Sequence, residues 1–238
     1  MKKILCLIID SAPHEAWRET YETHRKIWHQ CLDLSPHVDG YFLYSDPNLK
    51  SRYSTGDRRF TARHREGLDT ILHKTQKAIE VLLDEHEYVI RTNISSLWDF
   101  PLMEREDLPK KHLYTGHEIP FPPISFATGS GMILSRDVAK RLVRSTLAGL
   151  SPHDDVAIAQ ILNASGLRAL HRPWFWYDYS KELDQISVGR HLHYRLRDSA
   201  DPDRRRERGV TEHLFKLLYR STDTDASMLR DVSGAGYP

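Results

Sequence analysis

Apolar residues fall into short blocks separated by polar, glycine- and proline-containing stretches, and the period within the blocks changes along the chain. Ile4 to Ile9 is a continuous apolar run ending at Asp10, Ser11 and a proline, the pattern of a buried parallel strand that delivers polar groups to its carboxyl end. From His14 to about Leu32, Trp17, Tyr21, His24, Ile27, Trp28 and Cys31 recur at helical spacing, so a helix with one apolar face is expected to pack on the sheet. Val38 to Ser45 reads as a second strand. Asp46 to Glu66 reads as a long polar loop with Pro47 and Gly56, of a length that is usually functional or mobile. Leu68, Ile71, Leu72, Thr75, Ala78, Ile79, Leu82 and Leu83 then repeat at three and four, which predicts an amphipathic helix over about Arg63 to His86.

The rest of the pattern turns on Glu87 to Phe100, EYVIRTNISSLWDF. Tyr88, Val89 and Ile90 are expected to form a strand buried on both faces, with Arg91, Thr92, Asn93, Ser95 and Ser96 at its carboxyl end. Ligands of open α/β sheets bind at that end, at a switch point in strand order. A plain capped turn, with Asn93 or Ser95 as N-cap of a helix through Trp98, explains the same residues. Pro101 to Lys111 reads as irregular, Leu113 to Gly116 as a small strand, and Pro120, Pro122 and Pro123 as a loop. FATGSGMILS is a strand in which Gly129 and Gly131 allow close backbone approach, and Ser135 is the expected N-cap of the next helix. Asp154 and Asp155 fall in the first turn of a helix ended by Gly166, where carboxylates suit the dipole whether or not they do chemistry. Trp174, Phe175, Trp176, Tyr177 and Tyr179 form either a late core strand or a stacking platform. Arg190 to Arg197 alternates like an edge strand, Glu212 to Tyr219 is a last amphipathic helix, and the tail from Ser221 to Pro238 is polar and expected to be disordered. Strands alternating with helices predict one α/β domain over residues 1–220.

Composition narrows this picture only slightly. With 39% hydrophobic and 28% charged residues the 238-residue chain is ordinary for a globular protein, and a net charge of +1 carries no global polyanion signature. Arginines cluster at Arg58, Arg59, Arg63 and Arg65 and at Arg204, Arg205, Arg206 and Arg208, where a local patch can matter although the total does not. Cys6 and Cys31 make neither a disulfide framework nor a metal spacing. MKKILCLIID lacks a cleavage pattern, and no stretch approaches the roughly 18 apolar residues of a membrane helix. A cytoplasmic protein that meets no membrane is the expectation.

HKTQKAIEVL, YVIRTNISS, FATGSGMILSRDVAKRL and HDDVAIAQIL follow one another between Lys74 and Gly166. That order resembles nucleotide-sugar glycosyltransferases of the GT-A fold, particularly the beta-1,3-galactosyltransferase and Fringe-like group. There, a KT-bearing helix, a strand ending in an aspartate-rich motif, a YxSGxGYxLS segment and an EDV triplet take those places. The RTNxSS pattern is similar to that of small soluble viral and microbial relatives.

The resemblance implies a GT-A, Rossmann-like domain with a mostly parallel central sheet flanked by helices. It implies inverting transfer of a hexosyl or pentosyl group from a nucleoside-diphosphate donor, a UDP-sugar above all, to a hydroxyl of a glycan or protein. Asp155 would be the general base, beside Asp154. Asp10, Ser11, Lys74, Arg91, Thr92, Asn93, Ser95 and His193 would bind the donor, and Gly129, Ser130, Gly131, Trp174, Trp176 and Arg195 the sugar and acceptor.

The family's Asp-x-Asp, which holds a divalent metal, falls on Asn93, Ile94 and Ser95. A neutral amide and a hydroxyl bind manganese or magnesium poorly, which leaves the metal open and makes Arg91, Lys74, His193 or Arg195 the alternative source of positive charge. Two other readings stand beside this one: a transferase acting on a hydroxymethylated DNA base, suggested by the arginine clusters, and a non-catalytic nucleotide- or sugar-binding module that lost its Asp-x-Asp.

Overall fold

The computed structural model describes residues 3–10, 17–121, 124–146, 149–177, 190–195 and 205–219, without the side chains of Phe121, Trp176, Tyr177 and Arg205. The chain runs β1 (Ile4–Ile9), α1 (Arg18–Asp33), β2 (Val38–Ser45), β3 (Tyr53–Gly56), β4 (Arg59–Ala62), α2 (Ile71–Leu82), β5 (Tyr88–Asn93), β6 (Ser96–Trp98) and α3 (Phe100–Arg105). It continues through β7 (Tyr114–Phe121), β8 (Ile124–Ser135), α4 (Arg136–Arg144), α5 (Asp154–Ala164), β9 (Leu170–His171), β10 (Phe175–Tyr177), β11 (His193–Arg195) and α6 (Arg205–Tyr219). Eight strands form one mixed sheet in the order β3-β4-β2-β1-β5-β8-β7-β9, and β10-β11-β6 form a second, small sheet. In the large sheet β4, β2, β1 and β5 run parallel, as do β7 and β9, while β3/β4, β5/β8 and β7/β8 are antiparallel.

β1 is apolar at every position because it lies between two helical layers. Ile4, Cys6 and Ile8 join one core cluster with Trp28, Cys31 and Leu214, and Leu5, Leu7 and Ile9 join another with Ile79, Val138 and Ile158. The period of two thus splits one strand between α1 and α6 on one face and α2, α4 and α5 on the other. Each fully buried Leu or Ile contributes roughly 1.5–3 kcal/mol. Cys6 and Cys31 are both free thiols in the first of these layers, and burial pushes their pKa values up. From β1 the chain reaches β2 on one side through α1 and β5 on the other through α2, so the order reverses at β1/β5. Asp10 and Asn93 sit at the carboxyl ends of those two strands.

Several local expectations fail for identifiable reasons. The stretch expected as a polar loop holds the β3–β4 hairpin, whose central residues Asp57 and Arg58 both have positive φ (41° and 56°), the combination a tight primed turn requires. β3 is exposed throughout, so it carries no apolar signature, whereas Phe60 of β4 is fully buried and stacks on Tyr53 with ring centroids 5.7 Å apart. α2 is shorter than its apolar repeat suggests, preceded by a single 3₁₀ turn over Leu68–Thr70. Asn93 and Ser95 cap no helix: β5 continues through Asn93 and a short strand follows, while Asp99 is the N-cap of α3, accepting Leu102 N–H at 2.8 Å. Of Leu113 to Gly116, Tyr114 to Gly116 belong to a longer strand, and Pro120 pairs with Ser125 in the β7–β8 hairpin rather than lying in a loop. β11 is the central strand of the small sheet and not an edge, because β10 and β6 flank it. Ser11, the side chain of Trp176, Arg197 and the tail from Ser221 lie outside the described residues. No helix among the described residues is long and apolar enough to cross a membrane.

Candidate functional site

The carboxyl end of β5, the middle of β8 and the first turn of α5 enclose a cleft of ≈ 330 Å³. Its walls include Arg91, Asn93, Thr128, Gly129, Ser130, Asp154, Asp155 and Arg195, with Leu68, Ile71, Ile119 and Phe126 as the apolar side. Arg91 is the pivot. Its alternation within β5 turns the side chain toward β8 and α5, where it is 1% exposed. One guanidinium nitrogen donates to Asn93 Oδ1 at 3.1 Å and to the Gly129 carbonyl, and the other lies 2.5 Å from Asp154 Oδ2. A Cβ at residue 129 would sit 2.8 Å from that guanidinium, so glycine is needed there to admit Arg91. Burial pushes the Asp154 carboxyl up, Arg91 opposes this, and the neighbouring Asp155 adds to it.

Asp155 is held by backbone donors. Gly129 N–H donates to its Oδ2 and Val156 N–H to its Oδ1, both at 2.9 Å. Each carboxylate oxygen keeps a further lone pair toward the cleft it lines. The helix start thus presents one carboxylate locked to a cation and a second whose orientation is fixed by two amides.

The turn after β5 is pinned from outside the cleft. Trp28 Nε1 of α1 donates to the Ile94 carbonyl at 2.9 Å, and Ile94 N–H donates to the Ile9 carbonyl at 3.1 Å. Ser95 Oγ accepts from Arg195, a β11 residue that is 5% exposed. Asn93 and Ser95, where the resemblance put two metal-binding carboxylates, therefore each receive a guanidinium N–H. Among the described residues no cluster of His, Cys, Asp or Glu is arranged to hold a metal ion. A hard divalent cation gains most from carboxylates and would be repelled by two adjacent guanidiniums, so this donor set does not fit one.

Beneath the cleft lies a second, closed network. The Ser130 carbonyl accepts from Thr92 Oγ1 and Ser96 Oγ, both at 2.8 Å, and from His193 Nε2 at 3.2 Å. Trp98 Nε1 donates to Thr92 Oγ1 at 3.0 Å, and Thr128 and Ser130 share a hydroxyl bond of 2.6 Å. His193 is fully buried, and burial, with Arg195 adding to it, lowers its pKa to about 3, so the ring is a neutral donor from Nε2. A Cβ at Gly131 would lie 2.6 Å from His193 Nε2 and 2.8 Å from Trp98, which makes that glycine a packing requirement.

The candidate residues thus separate by position. Arg91, Asn93, Gly129, Ser130, Asp154, Asp155 and Arg195 converge on the cleft. Thr92, Ser95, Gly131 and His193 are buried around it, holding its floor. Asp10 is buried at the end of β1, accepting from Arg25 Nε at 2.6 Å, Arg25 Nη2 at 3.0 Å and Tyr44 Oη at 2.5 Å. Lys74 lies off the cleft wall, fully buried and ion-paired with Glu66 at 2.8 Å. Trp174 packs against the core beside Arg172, whose guanidinium is 5.5 Å from the ring. Sequence reasoning missed Thr128 and His153 on the walls and Arg25 and Tyr44 around Asp10. Thr128 was legible as part of the FATGSG strand, whereas Arg25 is a charged residue on a helix whose aromatic stripe drew the reading to the other face.

No protein-family model and no curated protein matches the chain. Among solved structures it is similar to a glycosyltransferase involved in the glycosylation of the major capsid of PBCV-1, with a TM-score of 0.53 at 14% identity over 89% of this chain and 98% of that one. A weaker match is the catalytic domain of Drosophila beta1,4-galactosyltransferase 7 in complex with xylobiose, with a TM-score of 0.37 at 14% identity over 72% of this chain and 65% of that one. The first likeness is one of fold: the single α/β domain with a large central sheet flanked by helices, expected from the sequence, is shared with that enzyme.

Proposed function

We propose that the protein is an inverting glycosyltransferase that moves a sugar from a nucleoside-diphosphate donor to an acceptor hydroxyl without a divalent metal. The observation that carries this reading is the convergence of Arg91, Arg195, Asp154 and Asp155 on one cleft at the carboxyl end of β5, in a fold shared with a glycosyltransferase. Asp155 takes the proton of the attacking hydroxyl as its oxygen bonds to the anomeric carbon. The bond from that carbon to the diphosphate breaks, and the leaving oxygen keeps the electron pair.

Charge growing on the diphosphate needs preorganised compensation, which is usually the largest single contribution to such a step. Arg91 and Arg195 supply it from positions fixed by Asn93, Asp154 and Ser95. A UDP-sugar is the donor class and a glycan or protein hydroxyl the acceptor class, as the resemblance implies. A DNA acceptor is left aside: Arg58, Arg59 and Arg65 of the first arginine cluster are engaged with Asp33, Tyr44 and Asp69, and Arg208 of the second pairs with Glu19, while Arg204 and the side chain of Arg205 lie outside the described residues.

A binding module is the second reading, and one observation favours it: Arg91 is already paired with Asp154 and hydrogen-bonded to Asn93 and Gly129. The deciding experiment incubates the purified protein with a panel of nucleoside-diphosphate sugars, with and without EDTA, and follows nucleotide release. Release from a donor that persists in EDTA and is lost in Asp155→Asn supports the transferase. Release abolished by EDTA rejects the metal-free step. Saturable donor binding with no release in any arm assigns the chain to the binding module.

A further inference from the structure

A second concavity, of ≈ 410 Å³, opens on the other side of α2, between the end of β4 and α4. It is lined by Arg52, Arg63, His64, His73, Lys77, Gln76 and Glu80, with Ala62 and Val143 as apolar contacts. The two strands of the hairpin bring the arginines together: Arg63 N–H donates to the Arg52 carbonyl at 3.0 Å. Neither guanidinium has a hydrogen bond or ion pair among the described residues. His64 and His73 stack with ring centroids 4.3 Å apart, and neither ring has a hydrogen-bond partner among the described residues. Lys77 is held by Glu80 at 2.7 Å, and Gln76 is turned inward to the Leu142 carbonyl at 2.7 Å.

We infer that this groove is a second anion site, taking the phosphate or diphosphate group of a small molecule between Arg52, Arg63 and the stacked His64–His73 pair. Guanidinium forks match phosphate oxygens in bidentate geometry, and imidazoles can add donors as they protonate. Burial, then His73 and Arg63, lowers the pKa of His64, which an anion between the arginines would oppose. The groups facing the pair are Arg52 ahead of β3, Arg63 after β4, and Lys77 and Glu80 of α2, while α4 contributes only the uncharged Val143. A small ligand is the occupant the groove's volume of ≈ 410 Å³ suits, and the neighbouring Arg58, Arg59 and Arg65 are engaged with Asp33, Tyr44 and Asp69. The proposal does not depend on the reaction assigned to the cleft.

The test follows the imidazole signals of the full chain by NMR during titration with inorganic pyrophosphate, against sodium chloride of matched ionic strength. His64→Gln and His73→Gln assign the signals, so that pyrophosphate bound in the cleft does not interfere. Saturable shifts of both rings are expected, with the pKa of His64 rising by about one unit, a tenfold change in protonation equilibrium. The double variant R52S/R63S, altered only at exposed positions, is expected to bind at least about tenfold more weakly and to melt as the parent does. Shifts that merely follow ionic strength, or that survive undiminished in R52S/R63S, would overturn the proposal.

Discussion

The two concavities that flank α2 use arginine in opposite ways. Arg91 in the cleft is 1% exposed and engages Asn93, Gly129 and Asp154, whereas Arg63 in the groove is exposed and has no partner among the described residues. The difference follows from desolvation. A guanidinium taken out of water must be paired and hydrogen-bonded or the fold loses several kcal/mol, while one left in water is stable without a partner. The cleft is therefore rigid and its charges are aimed before any ligand arrives. The groove is soft, its charges are free to reorganise, and it contributes little to folding.

That contrast can be broken most forcefully at Asp155. Asp155→Asn removes the base and keeps the size of the side chain, but its single amide oxygen can accept from Gly129 or Val156 and not from both. Transfer should fall by about 10²–10⁴-fold in a steady-state assay, while urea denaturation shows only the loss of one hydrogen bond, about 1 kcal/mol. Next comes Arg91→Ala, which leaves Asp154 buried without its cation. Urea denaturation should show a loss of about 3–5 kcal/mol, and pairing it with Asp154→Asn should restore part of that loss because the stranded charge is gone.

Acidification probes the same buried region. The pKa of His193 is lowered from 6.5 to about 3, so below pH 6.5 the unfolded chain binds a proton that the folded chain does not. The contribution of this residue is fully present above pH 6.5 and is lost as pH falls toward 3, by about 1.4 kcal/mol per pH unit. His193→Gln should flatten that part of the stability profile measured by urea titration across pH 7 to 4.5. Gly131→Ala forces a methyl against His193 and Trp98 and should cost about 1–3 kcal/mol by the same assay, without changing the pH window. Smallest of all, Arg63→Ser in the groove should shift stability by no more than about 0.5 kcal/mol. A larger loss there would mean that the groove is as locked as the cleft, and the comparison would fail.

Much of the frame was legible because it rests on local physics. Ile4 to Ile9 and Val38 to Ser45 were read with their observed bounds, the first because a strand between two helical layers is apolar along its length and the second because its apolar and aromatic block is bounded by polar residues. Asp154 and Asp155 were read at a helix start because Gly166 and the Ser151 turn mark both ends of α5. The β3–β4 hairpin was illegible: an exposed edge strand and a tight turn of Asp57 and Arg58 carry no apolar period. β6 was misread for the reverse reason, since Ser96 to Trp98 is a strand only because β11, about a hundred residues later in the chain, pairs with it.

The sequence by itself determined the αβ alternation, the buried strands and the set of polar residues brought to the end of β5, because periodicity and propensity act over a few neighbours. It named Arg91, Asn93, Asp154 and Asp155 without saying which would meet. Only the tertiary structure decided that Arg91 pairs with Asp154, that Asp155 is held by Gly129, that Arg195 reaches Ser95, and that Lys74 turns to Glu66 away from the cleft wall. Those pairings join residues up to a hundred positions apart. They are set by which charges the packed layers remove from water, since a buried charge takes whichever partner the fold has brought within reach.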